Sequence, residues 1–510
     1  MSRPIQWLAA IVVLVVPALV HASVFSVLNT NDSGSGSLRQ AIIDANADSA
    51  APHTIQFAIA GIGPHTINVA SQFPGVMRSM TIDGYSQAGS TVNTNTPEQG
   101  GLNTNLQVEV VGPGNVYFIY LNTTSGLDVT VQGLAMRGFS IALLGVGGNG
   151  GTSRLNVYGN YFGTNVDGSE IGAGQSGSSV AINCAQSPLQ LGGPLAWQRN
   201  LISGLGGAAI VIGGPAIIEG NLIGTDASGT SAIPNGAFSN NAAITNFTYR
   251  APIRIGGAQA GSRNLISGNH TFAISLGAPL QIANHDGLVI KGNYVGTDWS
   301  GMHALPNGYE NPAFAQYGGG IQLANNGSDP NPAIIGGFAD GEPNLIAFNR
   351  GSAITVSFNA AGENFDTRAN LLHHNHGVGE ANIEIGALGK TANDVDDADA
   401  GANGVQNWPV VVSASQAGNQ LTVTYRVDTA PSNASYPLRI DFYANVQGGS
   451  GLWLSQDSYP ASDAQQPRTI TLLVPAGAKA IPFVATATDA NGRSSEFSPA
   501  FDVIFEHDFD

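Results

Sequence analysis

Two stretches of this chain restrict what it can fold into more than any others. Residues 220–236 read GNLIGTDASGTSAIPNG and residues 292–308 read GNYVGTDWSGMHALPNG, identical at 11 of 17 positions. Most of the identities are Gly, Asn, Asp, Thr, Ser and Pro, while the aliphatic positions drift. A worn third copy, GNYFGTNVDGSEIG, occupies 159–172. A second block alternates with it: LGGPLAWQRNLISG at 191–204, IGGAQAGSRNLISGN at 255–269 and IGGFADGEPNLIAFN at 335–349. Asn160, Asn221 and Asn293 lie 61 and 72 residues apart, and Asn200, Asn264 and Asn344 lie 64 and 80 apart. These spacings exceed one turn of a solenoid and predict a double unit of about three coils.

Between the blocks run short segments such as AAIVIGGPAIIEGN, FAISLG, DGLVIKGN, GGIQLANN and SAITVSF. Alternation of this kind marks strands that bury one face. No sustained i, i+3, i+4 pattern interrupts residues 100–390, so helices do not make the crossovers. Short strands in series leave a parallel β-helix or an array of sandwiches. Stacking favours the β-helix, because one coil cannot bury its apolar face alone and coils in register bury a continuous one. Each turn then lies above the equivalent turn of the next coil. A Gly required at positive φ in one coil is required again. Asn and Asp can satisfy local backbone groups and stack as ladders, while core aliphatics exchange freely if volume is kept.

Composition narrows the function classes. Charged residues are 10% of the chain, hydrophobic residues 43%, and there are 67 glycines, which is not the signature of disorder. A net charge of −17 opposes a nucleic-acid partner, whose phosphates it repels, and adhesion to anionic lipid. Arg3, the apolar run from Ile5 to Val16, Pro17 and ALVHAS read as a signal peptide over residues 1–22. The expected location is therefore secreted, extracellular or at the cell surface, with the periplasm as an alternative. The run is too short to span a bilayer, and no membrane span is expected in the mature chain. Cys184 is the only cysteine, so a long regular core rather than disulfides must hold the fold.

The ends read differently. SLRQAIIDANA at 37–47 predicts an amphipathic helix with a Ser37–Gln40 capping box and Leu38, Ala41, Ile42 and Ala45 on one face. It would form an N-terminal cap within residues 23–50 over the first coil, whose strand edges otherwise stand open. The β-helix is expected over 51–392. An acidic junction follows at 393–409. Longer alternating strands then predict an immunoglobulin-like β-sandwich over 410–506. The expected fold class is all-β: a parallel β-helix solenoid with an N-terminal capping helix, followed by a β-sandwich domain.

Five motifs in order carry a resemblance: NTNDSGSGSLRQAIIDAN (29–46), TIDGYSQAGS (81–90), the NLIGTDASGT and RNLISGN repeats, NDVDDADAGANGVQNWP (393–409) and ATATDANGRSSEFS (485–498). Over nearly the whole mature chain the sequence resembles exported bacterial proteins with right-handed parallel β-helix repeats, of the pectin-lyase-like fold type. The resemblance implies the handedness of the solenoid. It leaves lyases, glycoside hydrolases, epimerases and adhesins open, because one fold hosts all of them.

Departures from the repeat carry the candidate chemistry. After PNG, one copy continues AFSNNAAITNFTYRAP, bringing Phe247, Tyr249 and Arg250, and the next continues YENPAFAQYGGG, bringing Tyr309, Glu310, Phe314 and Tyr317. Aromatic rings beside Arg and Glu suit a bound sugar, the expected partner being an extracellular polysaccharide. Packing of these insertions onto the coil beneath explains them as well. Hydrolysis needs two flanking carboxylates, for which Glu310 and Asp286 are the candidates. Lyase chemistry needs a base and a charge-neutralising group, for which Lys291 and Arg250 stand. Asp226 and Asp298 align with Asn165 and are expected to serve turns. Arg199 and Arg263 align with Pro343 and are expected to brace turns. His373, His374 and His376 cluster, but only the last two share a strand face, and a polar turn accounts for them. Asp394, Asp396, Asp397 and Asp399, with Asn403, supply oxygen ligands for a structural Ca²⁺ or form a solvated acidic linker. Two functions follow: a secreted glycan-recognising protein, as a lyase or hydrolase if active, or a non-enzymatic surface or matrix adhesin. The oligomeric state has no sequence signature.

Overall fold

A computed structural model of the chain describes residues 22–505 apart from 51, 122–125, 146–152, 173–176, 178, 185–186, 240, 247–251, 278–286, 311–317, 325–331, 358–364, 378–380, 447–448 and 475–481. From Met80 to Gly386, successive strands visit three sheets in turn, so that each sheet takes every third strand. Pairing between successive rungs is parallel throughout this region. The result is an all-β solenoid of stacked coils. No described helix is long and apolar enough to cross a membrane.

Alternation within each strand sends every second residue inward. On the first sheet Ile82, Val131, Val157, Leu191, Ile218, Ile255, Ile290 and Ile335 stand in register, all buried. On the second, Phe162, Ile202, Ile223, Ile266, Val295, Ile346 and Leu372 form a matching row. Burying each such side chain stabilises by about 1.5–3 kcal/mol. The residue identities vary along both rows because only volume and shape are demanded of them.

At the corner before the second sheet the demand is stricter. Asn160, Asn200, Asn221, Asn264, Asn293, Asn344 and Asn370 occur once per coil and are buried. The side chain of Asn264 shows the set of bonds. Its Nδ2 donates to the Ile218 carbonyl at 2.8 Å and to Asn293 Oδ1 at 2.9 Å. Its Oδ1 accepts from Asn221 Nδ2 at 3.1 Å and from the Asn221 N–H at 3.0 Å. A second ladder, Asn235, Asn269, Asn307, Asn349 and Asn375, lines the corner after the same sheet. Both repeat blocks therefore contribute to the same rungs. The double unit holds two coils, not the three that the spacing predicted. The spacing misleads because in alternate coils the segment between the two ladder positions leaves the solenoid. Asn221 and Asn235 are separated by such an excursion, whereas Asn264 and Asn269 are nearly adjacent.

The excursions stack on one another. Antiparallel bridges close each at Thr164–Ile171, Thr225–Ala232 and Thr297–Ala304. The Ala227 N–H donates to the Gly168 carbonyl at 2.8 Å, and the Trp299 N–H to Gly229 at 3.1 Å. Asn165 and Asp226 accept backbone N–H groups of their own turns, from Ser169 and Thr230, each at 3.1 Å. Asp298 accepts the Ser300 hydroxyl at 2.6 Å and the His303 N–H at 3.3 Å. These residues serve turns, as their exchange between Asn and Asp predicted.

At the N-terminal end the Leu38–Ala47 helix starts at Ser37, whose Oγ accepts the Gln40 N–H at 3.2 Å. The Gln40 side chain does not complete a capping box; it donates to Asp44 at 2.8 Å. Leu38, Ala41, Ile42 and Ala45 are buried, and the helix packs on strands Val24–Val27 and His53–Phe57. At the other end, strand Leu371–His373 pairs antiparallel with Gly449–Tyr459. Arg439 ties the two regions together, its Nη2 donating to Asp366 and its Nε to Asp441, each at 2.7 Å. A separate core around Leu421, Tyr425, Phe442 and Tyr459 lies between the antiparallel strands that follow.

Replacing one ladder amide should strand several buried partners at once. Asn264→Ala is expected to lower stability by about 2–4 kcal/mol, and Asp226→Asn, in a half-exposed turn, by no more than about 0.5 kcal/mol. Urea midpoints followed by circular dichroism measure both.

Candidate functional site

The outward side of the second sheet carries a row in register: Tyr161, Leu201, Leu222, Leu265 and Tyr294. Stacked excursions cover part of this row and form a small core of their own outside the solenoid, reaching Trp299. Where the cover ends, a small open pocket of about 30 Å³ remains. Leu222 and Leu265 floor it, Tyr294 and Trp299 stand half-buried at its wall, and the 97–101 loop closes one side. That loop lies flat on the indole because residue 100 is Gly; a Cβ there would meet Trp299 at 2.0 Å.

Two arginines complete the pocket. The residues just before the first-ladder asparagines are Gly159, Arg199, Gly220, Arg263 and Gly292, so the arginines flank a coil that carries no side chain. Arg199 is only 5% exposed. The Nε atoms of Arg199 and Arg263 are buried without a hydrogen-bond partner among the described residues. Arg263 lies over the Tyr294 ring, 4.0 Å from its centroid. Burial, opposed by Glu98 and reinforced by the Arg263 cation, holds the Arg199 pKa below its ordinary value. Glu98 at the rim is held below the usual carboxylate range, chiefly by a backbone hydrogen bond and Thr96, with Arg263 and Arg199 contributing. The Nε atoms make no hydrogen bond to a turn among the described residues, and the Arg199 stem lies against the Gly220 turn, its Cγ 3.5 Å from where a Cβ would stand. Sequence reasoning missed the pocket, although the alternation of Gly and Arg before the ladder was its signal.

The other expected site residues are dispersed. Phe247, Tyr249, Arg250, Asp286, Phe314 and Tyr317 lie outside the described residues. Tyr309 makes an edge contact with His270, centroids 4.9 Å apart. Glu310 is well exposed and faces Arg350 at 3.5 Å. Lys291 pairs with Glu342 at 2.8 Å, which engages it in an ion pair between coils. His373 and His374 occupy the rung below Ala347 and Phe348. Phe348 and His374 share a positive φ, so the histidines belong to one more repeat of the turn. Burial, with the neighbouring His374, lowers the His373 pKa to about 4.

The acidic junction is more compact. One carboxylate oxygen from each of Asp394, Asp397 and Asp399 falls within 4.8 Å of the others. Asp394 Oδ1 is buried without a partner, whereas its Oδ2 accepts the N–H groups of Ala398 at 2.9 Å and Asp399 at 3.0 Å. Asp397 accepts from Asn407 at 3.0 Å, Gln406 at 2.6 Å and Thr429 at 2.9 Å. Burial, with the charges of Asp394 and Asp399, pushes the Asp397 carboxyl up to about 7. The structure does not bring Asp396 or Asn403 into this group. Asp396 meets Gln465, and Asn403 accepts the Phe365 N–H at 2.9 Å and donates to Ser494.

The chain matches no family model and no curated protein.

A carboxyl with a raised pKa holds its proton more tightly in the folded than in the unfolded chain, so its ionisation weakens folding as pH rises. For Asp397 that loss spans about pH 4, its unfolded value, to its folded value of about 7. Glu496, also pushed up to about 7, chiefly by burial, acts in the same direction. The melting temperature in EDTA is expected to fall between pH 5 and pH 8. Added Ca²⁺ is expected to recover a few degrees at pH 8 and little at pH 5, and Asp399→Asn should blunt that recovery. Thermal melts at the two pH values check this.

Proposed function

We propose that this is an exported glycan-binding protein. In this reading the solenoid is a right-handed parallel β-helix of the pectin-lyase-like kind, with the Leu38–Ala47 helix as its N-terminal cap and an immunoglobulin-like sandwich after it. The observation that carries the proposal is the pocket outside the second sheet. Trp299 and Tyr294 are half-buried beside an apolar floor of Leu222 and Leu265, with the 97–101 loop on the indole and Arg263 over the Tyr294 ring. Sugar rings present flat C–H faces to aromatics and hydroxyls to polar groups, and a pocket of mixed character is what they require.

Binding rather than bond cleavage is the part of the activity that the geometry supports. Lys291 is engaged by Glu342, and Glu310 faces Arg350 on an exposed surface; these pairings account for both residues without a reaction. Asp394, Asp397 and Asp399 would hold a structural Ca²⁺ between the solenoid and the sandwich. Their donor set is all hard oxygen, and the orphaned Asp394 Oδ1 is the kind of atom such a cation satisfies. A surface or matrix adhesin is the second reading. It is favoured by the two uninterrupted ladders and the Arg439 tie, which stiffen the molecule along the stack.

Trp299→Ala tests the first reading. Loss of the indole is expected to cost about 1–1.5 kcal/mol of binding, roughly tenfold in Kd, and to lower the melting temperature as well, because the indole also packs on the 97–101 loop and the outer core. Calorimetric titration of the mature protein against neutral and acidic oligosaccharides measures it. Silence across both kinds of glycan would remove the glycan reading and leave the adhesin.

A further inference from the structure

We infer that two copies of this chain join edge to edge through strand Arg468–Leu473, which pairs antiparallel with its own equivalent about a two-fold axis at Thr471. The interface stands whether or not the outer pocket binds a glycan.

The strand ends a four-stranded sheet and is hydrogen-bonded on one side only, to strand Gln420–Arg426. The Val474 N–H donates to the Asn419 carbonyl at 3.0 Å. Along an antiparallel pair the direction of the backbone groups alternates. Those of residues 470 and 472 therefore face the same neighbour, and those of Thr469, Thr471 and Leu473 face away from it. No described residue bonds to these outward groups. Elsewhere the chain closes such edges. Asn403 and Ser494 cover strand Phe365–Arg368. Glu496 takes the Ile385 N–H at the end of the third sheet, and residues 494–501 bridge along Phe483–Thr488. Soluble proteins otherwise blunt an edge with a lysine, a proline or a bulge. Thr469 to Val474 contain no charge and no proline, and the pairing with Gln420–Arg426 runs without a bulge. The cation that opens the strand, Arg468, is held by Asp457 at 2.9 Å and Asp463 at 2.7 Å. Leu473 stands 67% exposed.

The occupant is identified by the edge itself, because its sequence is complementary to its own reverse. Pro467 and Pro475 stand four residues to either side of Thr471. An antiparallel copy about Thr471 sets Thr471 against Thr471, Thr469 against Leu473 and Ile470 against Leu472. All three outward-facing residues then exchange backbone bonds with the second copy, and both prolines fall just beyond the ladder. Moving the axis to Thr469 or Leu473 sets a proline, which has no N–H, opposite Thr471. Ile470 and Leu472 belong to the inner apolar layer and would continue it across the axis. On the outer face the hydroxyl pairs Thr424–Thr469 at 2.7 Å and Thr422–Thr471 at 3.1 Å would extend as one threonine row. Residue i meets residue j and j meets i, as a two-fold interface demands, and added strands are a recurrent mode of association. One strand pair buries little surface, so the dimer is of the reversible kind. Each copy carries −17, and the uncharged edge has to be reached against that repulsion.

Sedimentation velocity of the full mature chain over a concentration series tests this, with the variants Thr471→Lys, Leu473→Lys and Thr471→Cys. The wild type is expected to pass from monomer to dimer as concentration rises. Raising sodium chloride from about 50 to about 500 mM should lower the midpoint several-fold, because salt screens the repulsion between two acidic chains. Thr471→Lys sets two ammonium groups directly opposite each other and should weaken the dimer at least about tenfold, and Leu473→Lys should weaken it several-fold. Both side chains are exposed, so thermal melts of the lysine variants should match the wild type, and Leu473→Lys decides the matter if Thr471→Lys does not fold. Thr471→Cys should form an intermolecular disulfide on mild oxidation, because directly paired residues have Cα atoms about 5.5 Å apart, within a disulfide's reach. The wild type, whose Cys184 is buried, should form none. A chain that stays monomeric at high concentration and high salt, or a dimer that both lysine variants leave intact, overturns the proposal. A dimer that the lysines abolish but Thr471→Cys does not cross-link overturns the Thr471 axis.

Discussion

The buried asparagine ladder is the interaction on which the rest of the structure depends. A primary amide is a short uncharged side chain that carries two N–H donors and a carbonyl acceptor on separate atoms, so it can bond to both neighbouring coils at once. Stacked once per coil, each amide hands its carbonyl to the coil before and its N–H to the coil after, and it also satisfies backbone groups at the corner. Aspartate in its place would bring a buried charge, and serine would not span the rungs. With the corners pinned, the aliphatic rows inside have only to fill space, which is why they drift. The ladder specifies register and the rows supply most of the burial.

The same pinning creates the outer pocket. Everything at the ladder is constant, so variation is displaced to the positions around it. Before the first five rungs the residue alternates between glycine and arginine and the segment after it between an excursion and a tight turn, whereas Pro343 and Ala369 precede the last two rungs and both lead into tight turns. Neither alternation alone makes a cavity. Together they place two cations beside a missing side chain and roof the neighbouring leucines with Trp299. The pocket is a difference between coils, written on a scaffold that forbids differences elsewhere.

Strand positions and turn chemistry were legible because the physics that sets them is local: period-two burial, positive-φ glycines and short polar side chains beside turns. The helix face at Leu38, Ala41, Ile42 and Ala45 was legible for the same reason. The coil count was not. Two motifs that look unlike, GNLIGTD and RNLISGN, occupy one rung, and an excursion in one of them disguises the equivalence. The HHN turn was hidden in the same way, because Phe348 and His374 stand at positive φ where Gly204 and Gly268 mark the earlier copies. Glu310 and Lys291 drew attention as departures from the pattern, yet each has an oppositely charged partner near it. Arg199 and Arg263 were assigned to turns because they looked like part of the pattern. What a repeat residue faces depends on the coils above and below it, and that requires the register.

The alternation of coils also sets how such a chain can change its length. Because excursions rest on excursions across an intervening plain coil, the heritable module is a pair. Duplicating or deleting a pair preserves every ladder rung, every excursion contact and the phase of glycine and arginine. An odd number of coils would preserve the ladder but set excursion against plain turn. A lineage of these proteins would therefore grow and shrink in even steps, much as an open reading frame tolerates only insertions of three.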